Sequence, residues 1–114
     1  MKKGVLFHLD LDSGWIFDLA LTNIKNFLKF EESRKIAVVA NGPAVKLFVE
    51  SSNRKFKEDL KELHEKGVKF FICGRALSHF KISEKEIFNF CEIVPSGILQ
   101  IVKLQEEGYI YIKP

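Results

Sequence analysis

The chain has 114 residues, 46% of them hydrophobic and 29% charged, a balance typical of one small globular domain. The formal charge of +3 comes from lysines interleaved with glutamates, so the clustered basic stripe of a nucleic-acid-binding protein is absent. No apolar run approaches the roughly 20 residues of a membrane span, and Asp10 and Asp12 interrupt the first one too early for a signal peptide. Two cysteines without a partner motif predict no disulfide scaffold, and we expect a cytoplasmic protein with reduced thiols.

The first half of the chain alternates between strand and helix patterns. We predict a strand from Gly4 to Leu9, a loop, and a helix from about Trp15 to Phe30 with apolar residues at helical spacing. The second strand, Lys35 to Ala40, is apolar throughout and is therefore expected to be central. A turn at Asn41-Gly42-Pro43 follows, because proline suits the first position of the next helix.

The second half continues the alternation. In chain order we predict a short apolar stretch at 44–49, a helix at 55–66, a strand at 68–73, a short helix at 83–88, a strand at 91–94, a helix at 98–107 and a strand at 109–112. This order predicts a single domain over residues 1–114 with an α/β fold. Specifically, we expect a three-layer α/β/α sandwich around a mostly parallel five-stranded sheet.

Cys73 is the candidate reactive residue because of its position. It ends the third predicted strand, Gly74 permits a sharp turn, and Arg75 begins the next helix. Ligands gather at the carboxyl ends of parallel strands, and a helix amino terminus and a cation both favour a thiolate. A structural thiol is about equally common at such a place, so these residues alone leave both interpretations open. Cys91 follows two phenylalanines, and we interpret it as a buried structural thiol.

Asp10-Leu11-Asp12 follows the first strand and permits two other interpretations. It resembles the nucleophile loop of haloacid-dehalogenase-type phosphatases and the acidic pair of receiver domains, whose last strand leads into Lys-Pro, as Lys113-Pro114 does here. A receiver domain needs an aspartate where this chain has Cys73, and a phosphatase needs an acidic pair where it has Pro95-Ser96-Gly97. Roles in a turn and a helix cap are therefore favoured.

The three histidines share no metal-ligand spacing with the cysteines, so we predict neither a metal site nor a cofactor. His64 is expected on the surface, near the end of a helix rich in lysine and glutamate. His79 lies about one helical turn beyond Cys73, close enough to reach the thiol. His8 is expected to point to the opposite side of its strand from Phe7.

Several stretches, in order and spacing, resemble one protein family over essentially the whole chain. They are residues 7–10, 21–26, 38–45, 67–74, 94–97 and 105–114. On these stretches the chain is similar to the small single-domain archaeal and bacterial branch of the DsrE/DsrF-like sulfur-relay family. The resemblance implies an α/β/α fold, assembly into trimers or hexamers, and a cysteine at the end of the third strand that carries sulfur as a persulfide. That cysteine corresponds to Cys73. The branch usually continues with Asn and a small hydroxyl residue after Cys-Gly, whereas this chain has Arg75-Ala76.

Our hypothesis from the sequence is a cytoplasmic sulfur carrier, more a sulfurtransferase-type carrier than a turnover enzyme. Its partners would be identical subunits and sulfur-donor and sulfur-acceptor proteins; the eleven phenylalanines suggest that some rings lie in a subunit interface. The residues expected to support the pocket around Cys73 are His8, Asp10, Asn41, Gly42, Gly74, Arg75, Ser96 and Gly97. The alternative is a ligand-binding or assembly module with an inert Cys73 and a small-anion or nucleotide pocket at the strand ends.

Overall fold

The computed structural model describes residues 2–114, and in this range strands alternate with α-helices as predicted. The elements are β1 (Val5–Leu9), α1 (Gly14–Phe30), β2 (Ile36–Ala40), α2 (Lys57–Glu65), β3 (Lys69–Cys73), α3 (Gly74–His79), β4 (Glu92–Val94), α4 (Gly97–Glu106) and β5 (Ile110–Ile112). Short 3-10 turns occupy Gly42–Phe48, Glu50–Ser52, Arg54–Phe56 and Glu84–Glu86. None of the helices in residues 2–114 is long and apolar enough to cross a membrane.

The five strands form one sheet in the order β4-β3-β2-β1-β5, and every neighbouring pair is parallel. The apolar strand β2 is central, as predicted. Leu9 is level with Ala40 on β2, and Ala40 is level with Ile72 on β3. Because all strands run the same way, their carboxyl ends lie at one edge of the sheet.

The path of the chain determines how the two faces of the sheet are covered. From β1 to β4 the chain crosses the sheet in one direction, and from β4 to β5 it returns in a single step. Since such crossovers are right-handed, α1, α2 and α3 belong on one face and α4 alone on the other. The buried residues divide accordingly into a large apolar cluster with α1, α2 and α3 and a smaller one with α4. This confirms the three-layer sandwich.

The large cluster is built around aromatic rings. Phe17 on α1 is fully buried, and its ring centroid lies 5.1 Å from that of Phe48 and 4.6 Å from that of Phe56. Seven of the eleven phenylalanines are buried, six in this cluster and Phe71 in the smaller one, and Phe30 is the largely exposed one, at 86%. The high phenylalanine content is therefore explained by the core, and it does not support the expected subunit interface.

The segment between α3 and β4 differs from its prediction. Instead of a helix at 83–88, it has one 3-10 turn, Glu84–Glu86, which Ser83 begins. The Ser83 hydroxyl accepts from the Lys85 amide, and the Glu86 carboxylate accepts from the Ser83 amide. These two bonds satisfy the backbone donors of a single turn, after which Ile87 adopts an extended conformation.

Phe17→Ala should destabilise the fold by about 3–5 kcal/mol, because it removes a fully buried ring from contact with two others. Urea unfolding followed by circular dichroism measures this loss. Lys29→Ala on the exposed side of the same helix is the control and should stay within about 0.5 kcal/mol of the unsubstituted protein. Equal effects of the two substitutions would contradict this description of the core.

Candidate functional site

Most of the predicted site residues meet at the carboxyl edge of the sheet. Cys73 is the last residue of β3, whereas Asp10 and Asn41 directly follow β1 and β2. Ser96 lies between β4 and α4, and its hydroxyl accepts from the Leu99 amide, which begins α4 at this edge. If the strand register is continued by one residue, Asp10, Asn41 and Cys73 lie side by side. Such neighbours on adjacent strands are about 5 Å apart.

Gly97, the first residue of α4, packs between Asn41 and Cys73. A Cβ atom at position 97 would lie 2.8 Å from the Asn41 Cβ and 3.1 Å from the Cys73 Cβ. Only glycine allows the helix to approach the two side chains this closely. Cys73 is 7% exposed beneath this contact, and it also precedes the first turn of α3. Cys73 therefore lies beside the starts of two helices.

His8 is the buried polar residue of the sheet, at 8% exposure, and both of its ring nitrogens have partners. The Nε2 atom lies 2.6 Å from the Asn41 Oδ1, and the Nδ1 atom lies 2.5 Å from the Tyr111 hydroxyl. Because an amide oxygen only accepts, Nε2 donates to Asn41; in the neutral ring Nδ1 then accepts from Tyr111. We call Tyr111, His8 and Asn41 the polar chain. It connects β5 through β1 to the residue beside Cys73.

Asp10 forms an ion pair with the residue that follows β5. The Lys113 Nζ lies 2.9 Å from the Asp10 Oδ1 without the alignment of a hydrogen bond, and this buried oxygen has no other polar partner among residues 2–114. The Lys113 ammonium holds the pKa of Asp10 below its ordinary value, and the charge of His8 acts in the same direction, whereas burial opposes both. Gly42 lies against the Asp10 carbonyl and has a φ of +56°, which favours glycine.

Arg75, which we expected beside the thiol, belongs to the first turn of α3. It is exposed on α3 and lines an open cleft of about 420 Å³ with Gly74, Ser78 and Val94; Cys73 is not among the lining residues. His79, expected to be within reach of Cys73, is also exposed, and its ring packs edge-on against Phe80 at 4.8 Å. Gly74 has a packing role, because a Cβ there would lie 3.0 Å from the Val94 carbonyl oxygen.

The two cysteines differ in their exposure and in their surroundings. Cys91 is partly exposed as a residue, whereas Cys73 is buried. The Cys91 thiol is nevertheless surrounded by apolar groups, and this burial raises its pKa to about 12. At neutral pH such a thiol stays protonated, so the interpretation of Cys91 as a structural residue depends on desolvation and not on low exposure. Both cysteines are free.

Sequence reasoning missed two residues of the site, Tyr111 and Lys113. The sequence shows the Lys-Pro ending, but nothing in it indicates that β5 lies beside β1 and not at the opposite edge. His64 lies on the surface as predicted and stacks on Phe90 at 5.2 Å. Among residues 2–114, no three His, Cys, Asp or Glu side chains are grouped so that they could hold a metal ion.

An all-parallel α/β/α sandwich with a cysteine at the end of its third strand and polar residues beside it defines a class of protein. A model of the DsrE/DsrF-like family matches residues 11–114, and the chain belongs to this family, as the sequence resemblance predicted. The family is associated with sulfur relay in general.

Two solved structures are similar to the chain over nearly its whole length. One is the protein of unknown function MTH1491 from Methanobacterium thermoautotrophicum, with 31% identity and a TM-score of 0.91, covering 99% of this chain and 100% of that one. The other is the YchN protein from E. coli, which shares the fold at 12% identity and a TM-score of 0.81, with coverage of 99% and 100%. A search of curated proteins found no match.

Lys113→Met should remove the stabilisation that the ion pair gives to ionised Asp10. The pKa of Asp10 is lowered in the fold from its ordinary value of 3.8, so this stabilisation is present above that pH and is lost as the pH falls through the lowered value. Both side chains are about two-fifths exposed, so we expect a difference of at most about 1 kcal/mol in the free energy of unfolding at pH 7.

Urea unfolding at several pH values between about 7 and about 2 measures this difference, which should vanish at the acid end. In an Asp10→Asn background, Lys113→Met should have no effect at any pH, because the partner charge is already absent. A difference that persists unchanged in acid would show that Lys113 acts through packing and not through Asp10.

Proposed function

We propose that this protein is a cytoplasmic sulfur carrier that holds sulfane sulfur as a persulfide on Cys73. The observation that carries the proposal is the place of this thiol. It lies at the carboxyl edge of a parallel sheet, before the first turn of α3 and against Gly97 at the start of α4. Backbone amides at helix starts favour an anionic sulfur. Membership of a family associated with sulfur relay supports the same chemistry.

The proposed reaction is an exchange between sulfur atoms without net oxidation. The Cys73 thiolate attacks the terminal sulfur of a donor persulfide, R–S–SH, so that the donor S–S bond breaks and a new one forms on Cys73. The products are Cys73–S–SH and the donor thiolate, R–S⁻. An acceptor thiolate then attacks the terminal sulfur in the same way and regenerates the Cys73 thiolate. Sulfur-donor and sulfur-acceptor proteins are the partners that this cycle requires.

The low exposure of Cys73 limits what can react with it. A residue that is 7% exposed beneath Gly97 admits a narrow group such as a terminal sulfur more readily than a bulky reagent. A carrier benefits from this cover, because the cover protects the bound persulfide from thiols that are not its acceptor. The second candidate function, an inert Cys73 in a ligand-binding or assembly module, is favoured by the same burial and by the open cleft beside Arg75.

We also propose that the protein is a homo-oligomer, a trimer or a hexamer, assembled through α4. Ile101 and Leu104 bury one side of this helix against the sheet, yet Ile98, Leu99 and Val102 on its other side are 45–55% exposed. Although α4 also carries polar residues, its apolar surface extends beyond the side that packs on the sheet, and an exposed apolar surface of this kind indicates an interaction site. No other helix within residues 2–114 covers this side of α4, because α4 lies alone on its face of the sheet. The partner that we propose for this apolar surface is the same surface on a second copy of the protein.

Incubation with a small persulfide donor should increase the mass of the intact protein by one sulfur atom. Cys91→Ala should load to the same extent, whereas Cys73→Ala should not load, because only Cys73 lies beside helix starts that favour the anion. Mass spectrometry of the intact protein, with and without a reducing agent, measures the change. If Cys73 is not loaded in the folded protein, the carrier function is wrong and the inert module is favoured.

Val102→Lys should dissociate the oligomer, because it places an ammonium group in the centre of the apolar side of α4. Sedimentation at micromolar concentration should give a trimer or hexamer for the unsubstituted protein and a species near 13.1 kDa for the variant. Leu19→Lys is the matched control, since Leu19 is similarly exposed, at 51%, but lies on α1 on the opposite face. An unsubstituted protein that sediments as a monomer would contradict the proposal. So would dissociation by Leu19→Lys alone, because it would place the interface on the other face.

A further inference from the structure

We infer that the Asn41 side chain donates a hydrogen bond to the anionic sulfur on Cys73, and that His8 and Tyr111 are positioning residues that fix the direction of this donor. The inference rests on the proposed function, since it names the group that stabilises the sulfur during the exchange. It depends on how the polar chain is satisfied and on where Asn41 lies.

The first step concerns the orientation of the Asn41 amide. Its oxygen lies 2.6 Å from the His8 Nε2, so the oxygen is used by the histidine. The Nδ2 group is therefore turned away from His8; it forms no hydrogen bond within residues 2–114, the Cys73 thiol included, and it is not one of the fully buried polar atoms. An Asn side chain has one acceptor and two donor hydrogens, and here only the acceptor is occupied. The donors remain for another group.

The second step concerns what lies beside that donor. The Cβ atoms of Asn41 and Cys73 both contact the position that a Gly97 Cβ would occupy, at 2.8 and 3.1 Å. His8 lies on β1, on one side of Asn41, and Cys73 ends β3 on the other side. A carboxamide whose oxygen is held towards β1 therefore keeps its NH₂ group available to the edge that it shares with β3, where it can donate once the Cys73 sulfur is anionic. Hydrogen bonds to an anionic acceptor are stronger than those between neutral groups.

The third step concerns Tyr111. A neutral imidazole carries one proton, and a hydroxyl that donates to Nδ1 leaves the proton on Nε2. The Asn41 oxygen, which can only accept, keeps this proton on Nε2, and the Tyr111 hydroxyl, 2.5 Å from Nδ1, donates to the other nitrogen and holds the ring in place. A doubly protonated His8 also donates from Nε2, so the direction of the amide is the same in both charge states. The charged groups at this edge are Asp10 with Lys113, and Arg75 on the exposed side of α3.

The experiment measures the rate of Cys73 alkylation by iodoacetamide against pH, in a Cys91→Ala background. Asn41→Leu removes the donor, and Asn41→Asp replaces it with an acceptor. Both should shift the midpoint of the profile upward by about one pH unit or more, which is a tenfold loss of thiolate near neutral pH. Tyr111→Phe should shift the midpoint in the same direction by a smaller amount, because His8 is then less firmly held and the Asn41 amide can exchange the positions of its oxygen and its NH₂ group. Tyr109→Phe is the matched control and should shift nothing, because the Tyr109 ring packs in the core formed with α4 and its hydroxyl makes no hydrogen bond within residues 2–114.

Nitrogen chemical shifts of the His8 ring in the unsubstituted protein test the same inference without any variant. The expected result is a proton on Nε2, with an unprotonated Nδ1 in the neutral ring. A proton on Nδ1 alone would overturn the inference, because the Asn41 amide would then face His8 with its NH₂ group. An unchanged profile in Asn41→Asp would also overturn it. If the profiles shift as expected but Cys73 takes up no sulfur from a persulfide donor, the donor role of Asn41 stands and the carrier function fails.

Discussion

The right-handed crossover between parallel strands is the constraint on which the rest of this structure depends. The three connections from β1 to β4 move across the sheet in one direction, and only the connection from β4 to β5 returns. Three α-helices therefore lie on one face and α4 alone lies on the other. The same connection carries the start of α4 to the carboxyl edge, where Gly97 meets Asn41 and Cys73. The thinly covered face and the candidate site are therefore two results of one topology.

His8 shows how the site and the stability of the sheet are coupled. A buried imidazole without partners would cost about 1–3 kcal/mol for each unmet polar group. Here the partners come from two different strands, with Tyr111 on β5 and Asn41 after β2. The ion pair between Asp10 and Lys113 adds a second connection from β1 to the end of β5. The exposed edge strand β5 thus holds its place partly through the polar groups that order the site.

The fold was predictable from local patterns, whereas the detail of the site depended on neighbours that are distant in sequence. Continuous apolar stretches correctly placed β2 and β3 inside the sheet, and Gly74 after Cys73 marked the end of a strand. Tyr111 lies 103 positions from His8, and no pattern in either segment indicates that they touch. Arg75 lines an open cleft whose lining does not include Cys73, and its spacing of two positions from the thiol did not indicate this cleft.

The phenylalanine content shows the limit of composition as a guide to assembly. Rings at Phe17, Phe48 and Phe56 pack against one another inside the chain, so their number reports a dense aromatic core. The surface that suggests self-association is made of Ile, Leu and Val on α4, and composition does not distinguish those residues from buried ones. It became recognisable only when the topology showed that a single helix covers that face.

The two cysteines show why exposure alone does not rank thiols by reactivity. Cys91 is the more exposed residue, yet its sulfur is surrounded by apolar groups, and the loss of solvation raises its pKa to about 12. Cys73 is the more buried residue, but its neighbours are the starts of two helices and a carboxamide whose NH₂ group forms no hydrogen bond in the part of the chain that the structure describes. An anion inside a protein is stabilised by the dipoles that face it, whether or not water reaches it. Burial beside such dipoles is compatible with a reactive sulfur, and it also explains how a carrier would keep a persulfide from reacting with the wrong thiol.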